Sequence, residues 1–364
     1  MDSSLSWYQT IDNESLWNGT CTPENTVLID VVSVDILLYS RLEIVYISVV
    51  LPIVAALAAI TNGSYLYVVA KIKSMRTVTN IYLANLAVAD MIYSISLCAS
   101  TFYLYSNSGG VRGNVPVAQN CALLLLFPEI CYGASFFLVL AVTVDRFYAV
   151  CYPLKHRTFT KARTVKTTIA AWSLGSLLFL QTVLSSVFEH LVCVVWPDLR
   201  QYSDLPSVFR LCTGIFTEKV DKLVESLLGI PVFVFTMLAN CFMYIKIIKA
   251  LNNRPAQRDN QRGPSNNAER TRRRVTNMLL ANTLVFFMLT LPTHIRLALE
   301  LMTEYMQLPP ALDRLTHSAS LTLMASALCF INSMINPIIY NATNSRYRQA
   351  YCEAFLPCRR SRTP

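Results

Sequence analysis

Charge is what this sequence has least of. Asp, Glu, Lys and Arg make up 15% of its 364 residues, against about a quarter in a soluble domain. No Gly-rich phosphate loop, Ser-His-Asp grouping or His/Cys/Asp metal cluster is present, so nothing supports an enzyme. There is no internal repeat with paired broken helices, as a transporter would show. There is no filter loop or ring of pore charges, as a channel would show. The formal net charge of +9 would, alone, suit a nucleic-acid partner. That class is excluded as well, because the apolar residues gather into long uninterrupted blocks.

Apolar residues form 54% of the chain and the mean hydropathy is +0.41. Seven blocks reach the length of roughly 20 residues that a membrane-spanning helix needs: Ile44–Ala70, Thr79–Tyr105, Val117–Val150, Val165–Val187, Val224–Lys249, Val275–Met302 and Leu315–Tyr340. None shows the period-two alternation of a membrane barrel. The expected fold is an all-α membrane protein, a seven-transmembrane helix bundle. It divides into an outer segment 1–43, the bundle 44–341, and a cytoplasmic helix and short tail 342–364. Residues 1–43 hold no apolar run of signal-peptide type, so the first span is expected to direct insertion.

Orientation follows from the basic residues. The loops after spans 1, 3 and 5, with the tail, carry 23 of the 31; the N-terminal segment and the alternate loops carry 8. The first set is expected inside and the N-terminus outside, at the plasma membrane. Two outer sequons, at Asn13 and Asn18, then become glycosylation candidates. Cys121 and Cys193 both face the oxidising side, where a bridge between them would pin the loop after span 4 over the bundle. Cys21 and Cys212 lie outside too, either paired or free. Cys352 and Cys358 lie inside, either palmitoylated or simple thiols.

Several spans carry polar residues that lipid disfavours. Asp90 at a helix centre would cost roughly 2.5–3.5 kcal/mol on insertion scales, so it should face other helices. Asn62, Ser135, Asn332, Ser333 and Asn336 are its candidate partners, and such a set suits a hydrated ion site. These residues and their surroundings resemble the rhodopsin-like family of G-protein-coupled receptors. The resemblance runs over about residues 44–356: Asn62, Leu86 to Asp90, Cys121, Asp145-Arg146-Phe147, Trp172, Pro231, Phe286, Pro292 and Asn336-Pro337-Ile338-Ile339-Tyr340. It implies signalling to a heterotrimeric G protein, with arrestin as a second inner partner. It implies a resting pair between Asp145 and Arg146, rearrangement of Asn336 and Tyr340, and an allosteric sodium ion held by Asp90 with Ser135, Asn332, Ser333 and Asn336. No other cofactor and no nucleic acid is implied.

Two departures stand out. Thr290 replaces the tryptophan usual two residues before the span 6 proline. Ala239 replaces the tyrosine usual eight residues after the span 5 proline, which would remove a partner of Tyr340. Beyond Tyr340, residues 345–355 read as an amphipathic helix whose arginines meet anionic lipid headgroups.

For the ligand, the outer segments sum to a charge of −8, which favours a cation. Glu129, two turns below Cys121, either contacts the ligand's cation or pairs with Arg296 or His294, or does each in turn. Pro128 stands where aminergic receptors carry their aspartate, and the last span has no lysine for retinal. The outer loop around Cys193-Val194-Val195-Trp196-Pro197-Asp198 is similar to loops in neuropeptide receptors. A short basic or amidated peptide is therefore expected, with a lipid or other small molecule as the alternative. The pocket candidates are Glu129, Tyr132, Gln181, Thr293, His294, Arg296, Glu300 and Ser326; several of them could equally be contacts between helices.

Overall fold

A computed structural model describes residues 21–22, 25–30, 34–115, 121–178, 180–184, 188–213, 217–253, 264–306, 309–316 and 318–356. Six helices among them are long and apolar enough to cross a membrane: α1 (Arg41–Lys71), α2 (Val78–Asn107), α3 (Cys121–Cys151), α5 (Glu218–Asn252), α6 (Pro264–Tyr305) and α7 (Ala319–Thr343). The fourth, α4 (Lys161–Leu178), starts among Lys161, Arg163 and Lys166 and is followed by one further turn, Leu180–Leu184. Those three bases fall within its 18 residues and make it less apolar than the spanning stretches of the other six. Helix α8 (Ser345–Phe355) coincides with the expected amphipathic helix. Asn344 separates it from α7: its extended backbone ends α7, and its side chain accepts from the Arg346 amide at 3.0 Å.

The chain forms two compact units. The first comprises Met1–Ile53, Ser96–Phe127 and Leu180–Leu223. It contains a three-stranded sheet that the sequence reading lacked. β2 (Phe188–Val195) and β3 (Val208–Thr213) form an antiparallel hairpin, from Phe188↔Thr213 to Cys193↔Val208. β1 (Thr26–Leu28) adds in parallel on β2, Thr26 opposite Cys193. Ile29, Val34, Val111, Val194 and Phe209 make a core of their own there. Gly113, at φ +78°, brings the loop before α3 close to β3; a Cβ there would lie 3.3 Å from Leu211.

The cysteine pairing differs from expectation. Cys193 is bonded to Cys21, so neither Cys121–Cys193 nor Cys21–Cys212 forms. The physical reason is the β1–β2 pairing, which carries Cys21 to the Cys193 end of β2, with Cα atoms 5.7 Å apart. Cys212 is also disulfide-bonded. The side chain of Cys121 lies outside the described residues, as do Asn13, Asn18 and Cys358.

The second unit comprises Val54–Ile95, Pro128–Phe179 and Val224–Pro364. One apolar cluster joins α1, α2, α3, α6, α7 and α8 through Tyr65, Val68, Leu83, Val142, Met278, Tyr340 and Tyr347. A second joins α2 to α6 through Leu86, Ala134, Phe136, Ala171, Phe233 and Phe286. Leu57, Ile60, Leu238, Phe242, Leu284 and Met288 are exposed, which is the arrangement a lipid-facing surface requires. The protein is a multi-pass membrane protein.

Candidate functional site

The mid-depth polar cluster is built from helix repeats. Asp90 is 2% exposed and accepts from Asn336 Nδ2 at 2.6 Å. Asn62 donates to the Ala58 and Ser333 carbonyls at 2.9 and 2.7 Å, tying α1 to α7. Ser135 and Ser333 turn back to their own helices, donating to the Cys131 and Cys329 carbonyls. Of the expected set, only Asn336 therefore bonds Asp90 directly. Yet Ser94 Oγ, Asn62 Oδ1, Asn332 Oδ1, Asn336 Oδ1 and Tyr340 OH are buried without a hydrogen-bond partner. Each such group costs about 1–3 kcal/mol if left bare. A carboxylate among unsatisfied oxygens fits a hard cation or ordered water, so these residues fit the sodium ion that the resemblance implies.

Near the C-terminal end of α3, Arg146 Nη2 and Nε donate to Asp145 Oδ2 at 2.7 and 3.2 Å. Thr79 at the start of α2 donates to the same oxygen at 3.1 Å and also accepts from Arg146. His156, in the turn Pro153–His156, closes the other oxygen, Oδ1, at 2.9 Å. Asp145 is thus saturated and Arg146 is held along its own helix. The expected Asp145–Arg146 pair forms; Thr79 and His156 are members that sequence reasoning missed. Phe147 instead packs with Val150, Tyr244 and Ile247.

Beside this pair, Tyr347 OH donates to Asn80 Oδ1 at 2.5 Å, and the ring meets Tyr340 at 5.7 Å. Burial raises the pKa of the Tyr347 phenol above its ordinary value, against the pull of Arg146 and Arg346. It stays a donor at physiological pH. A cavity of about 110 Å³ lies here, lined by Thr77, Thr79, Asn80, Arg146, Arg346 and Tyr347 with Val275.

The tyrosine thought missing is present. Tyr244 is buried, its hydroxyl 3.2 Å from Thr283 Oγ1 on α6 and 3.5 Å from Thr143 Oγ1 on α3. It lies near enough to Arg146 and Tyr340 to interact with both electrostatically. Tyr340 OH has no hydrogen-bond partner, as expected from Ala239, and Tyr244 is a tyrosine of α5 that lies close by.

Toward the N-terminal end of α3, Glu129 meets neither expected base. Arg296 pairs with Glu300 one turn along α6, and His294 Nδ1 lies 3.0 Å from the Thr290 carbonyl. The charged neighbour of Glu129 is a second carboxylate, Glu225 of α5. Tyr132 and Thr293 both converge on Cys329, Thr293 Oγ1 at 3.1 Å from its Sγ. Ser326 stands on the same helix, α7. Gln181 belongs to the first unit, where it donates to the Asp221 carbonyl at 3.2 Å.

The family profile described as 7 transmembrane receptor (rhodopsin family) matches residues 61–340. The chain belongs to that family. Its curated relatives include mouse neuropeptide FF receptor 2, 25% identical, over the whole chain and 84% of the relative. Zebrafish (Danio rerio) galanin receptor 2b is 27% identical over 85% of this chain and 75% of its own. The human KiSS-1 receptor is 27% identical over 83% and 72%. The matched range takes in Asp90 on α2, Asp145 and Arg146 on α3 and Asn336 to Tyr340 on α7.

Proposed function

We propose that the protein is a plasma-membrane receptor, N-terminus outside, that responds to an extracellular peptide and activates a heterotrimeric G protein. The relatives are named as peptide receptors, and the inner and mid-depth clusters have the parts a two-state receptor needs. The observation that carries the ligand class is the like-charged pair Glu129 and Glu225. Half-buried Glu129 of α3 and exposed Glu225 of α5 lie within electrostatic reach of one another, and a ligand cation beside Glu129 would lower their repulsion. A basic or C-terminally amidated peptide supplies it. Signalling then requires Arg146 to leave Asp145 and Thr79, opening the inner cavity to the G protein; arrestin would use the same face. The Asp90 cluster would hold sodium in the resting state. Cys352, exposed on α8, is the palmitoylation candidate beside the inner lipid headgroups, and Asn13 and Asn18 are the glycosylation candidates outside.

The test is a panel of basic and amidated peptides on transfected cells, read as G-protein activation. Glu129→Gln should weaken an active peptide roughly thirtyfold or more, as expected when one member of a buried charge pair is removed, at unchanged surface expression. A silent panel with activity in lipid extracts would overturn the peptide reading.

A further inference from the structure

Arg346, in the first turn of α8, is a base without an acid. Its Nη2 donates to the Ser74 carbonyl, a neutral acceptor. Arg274 of α6 is placed alike, since its bond goes to the Ser345 hydroxyl at 3.1 Å. Among the described residues no carboxylate pairs with either. Arg348 differs: it donates to the Asn341 and Ala342 carbonyls at 3.1 and 3.0 Å, at the C-terminal end of α7, where the helix dipole favours a cation. Arg146 differs too, because Asp145 compensates it.

The cavity of about 110 Å³ beside Tyr347 has both Arg146 and Arg346 in its wall, with Thr77, Thr79 and Asn80, and no carboxylate among the described residues. One water needs only about 10–15 Å³, so the space admits a larger polar group. The donors around it are not used up. Arg146 gives Nε and Nη2 to Asp145 and Thr79, which leaves Nη1. Arg346 gives Nη2 to Ser74, which leaves Nη1 and Nε. Thr77 Oγ1 accepts from the Asn80 amide at 3.3 Å and keeps its own proton to donate. Two guanidiniums and a hydroxyl around one space, without an acid, suit a compact oxyanion.

We infer that this cavity binds a phosphate dianion, free or as a phosphomonoester, and that the bound anion holds the resting arrangement. The phosphate takes Nη1 of Arg146 and the free nitrogens of Arg346. Asp145 keeps its own two bonds from Arg146, since a guanidinium has five N–H donors. The anion therefore joins α3 to α8 without opening the Asp145–Arg146 pair. A dianion also offsets Arg346 and the neighbouring Arg274 together, which a single carboxylate does not. Phosphate in the cavity and a G protein entering it exclude one another, so the anion lowers coupling. That effect on signalling rests on the receptor reading; the binding is measurable without ligand or G protein.

The test uses the purified full chain in phosphatidylcholine nanodiscs, with inorganic phosphate replacing chloride at constant sodium and ionic strength. At about ten times its dissociation constant, phosphate should raise the melting temperature by about 3 °C. Arg346→Gln should lose that shift, and Arg346→Lys, which keeps the charge but not the fork, should retain part of it. Arg348→Gln, at an exposed position turned to α7, should keep it in full. Phosphate also stabilises folded proteins as a salt, so an equal shift in Arg346→Gln and wild type would overturn the inference. Nanodiscs carrying phosphatidylinositol 4-phosphate, without free phosphate, separate the sources. A shift there that added phosphate does not increase assigns the site to a lipid headgroup; a shift from free phosphate alone assigns it to a soluble anion. No shift from either overturns the site. On purified G protein, saturating phosphate should lower ligand-free nucleotide exchange by up to about tenfold in wild type and leave Arg346→Gln unchanged. Exchange unchanged in wild type while phosphate is bound would overturn the competition with the G protein.

Discussion

Asp145 receives bonds from three directions, and His156 is the member that reaches it from outside the helices. Its Nε2 closes Oδ1, whereas Arg146 and Thr79 share Oδ2. With His156 removed, one oxygen of a buried carboxylate has lost its protein partner, and the resting arrangement weakens. A hydrogen bond to a charged group is worth about 1.5–3 kcal/mol; with the histidine 27% exposed, about 1 kcal/mol is the fair figure. His156→Ala should therefore raise ligand-free nucleotide exchange on purified G protein about fivefold. His156→Gln, which retains an N–H donor, should fall between alanine and wild type. An unchanged basal rate at equal receptor density would mean that the contact contributes nothing to the resting state. The same scale shows where counting along the sequence failed. Counting eight residues from Pro231 led to Ala239, but Pro231 is exposed. The buried stripe of α5 runs Phe233, Thr236, Asn240, Tyr244, Ile247 and Leu251, a helical repeat of three and four residues. That stripe was legible and leads to Tyr244; the proline was the wrong ruler.

At the scale of elements, long apolar blocks were legible because lipid enforces helix and uniform apolarity together. The spans and the helix over 345–355 could be read for that reason; the Asn344 cap and the short α4 were not. The sheet could not: β1 has three residues, and its pairing joins Thr26 to Cys193 across nearly half of the chain, which no local periodicity records. The disulfide error followed from the sheet error, because strand pairing decides which cysteines meet. Close helix approach was equally invisible. Gly175 on α4 lies so near α3 that a Cβ would come within 2.4 Å of the Ala134 nitrogen and 2.8 Å of its Cα. Backbone cannot yield as a flexible side chain would. Gly175→Ala should destabilise by about 1–3 kcal/mol, the usual cost of overpacking, seen as a lower melting temperature of the purified protein. Gly63 on α1 has nothing within 4 Å of its added Cβ, and Gly63→Ala should be neutral or slightly stabilising through helix propensity. Equal melting temperatures for the two variants would show that the α3–α4 contact relaxes freely.

Across the whole molecule, the net charge of +9 conceals a separation: +19 on the segments expected inside, −8 on those expected outside, and two carboxylates, Asp90 and Glu129, among the spans. With that orientation the negative side would attract cations and the positive side anionic headgroups and partner surfaces. Asp90 stands between them, with one direct amide bond and five unsatisfied oxygens on α1, α2 and α7. Asn62, Asn332 and Asn336 were recognisable in the sequence as partners of Asp90, because each is a polar residue inside an apolar span; Ser94 and the place of Tyr340 beside them were not. Their separate orientations, with Ser135 and Ser333 turned to their own helices, depend on packing and were not. A cation bound there stabilises the arrangement that holds it by an amount set by its concentration relative to its dissociation constant. At about five times that constant the gain is about 1 kcal/mol, or roughly 2 °C in melting temperature for a chain of this size. Sodium chloride in place of choline chloride, at equal ionic strength, should raise the melting temperature of the purified protein by that amount. Asp90→Asn keeps the size of the side chain and removes its charge, so the difference between the two salts should vanish in that variant while both curves remain cooperative. A sodium-dependent shift of the same size in Asp90→Asn would place the cation elsewhere and leave the orphaned oxygens to water alone.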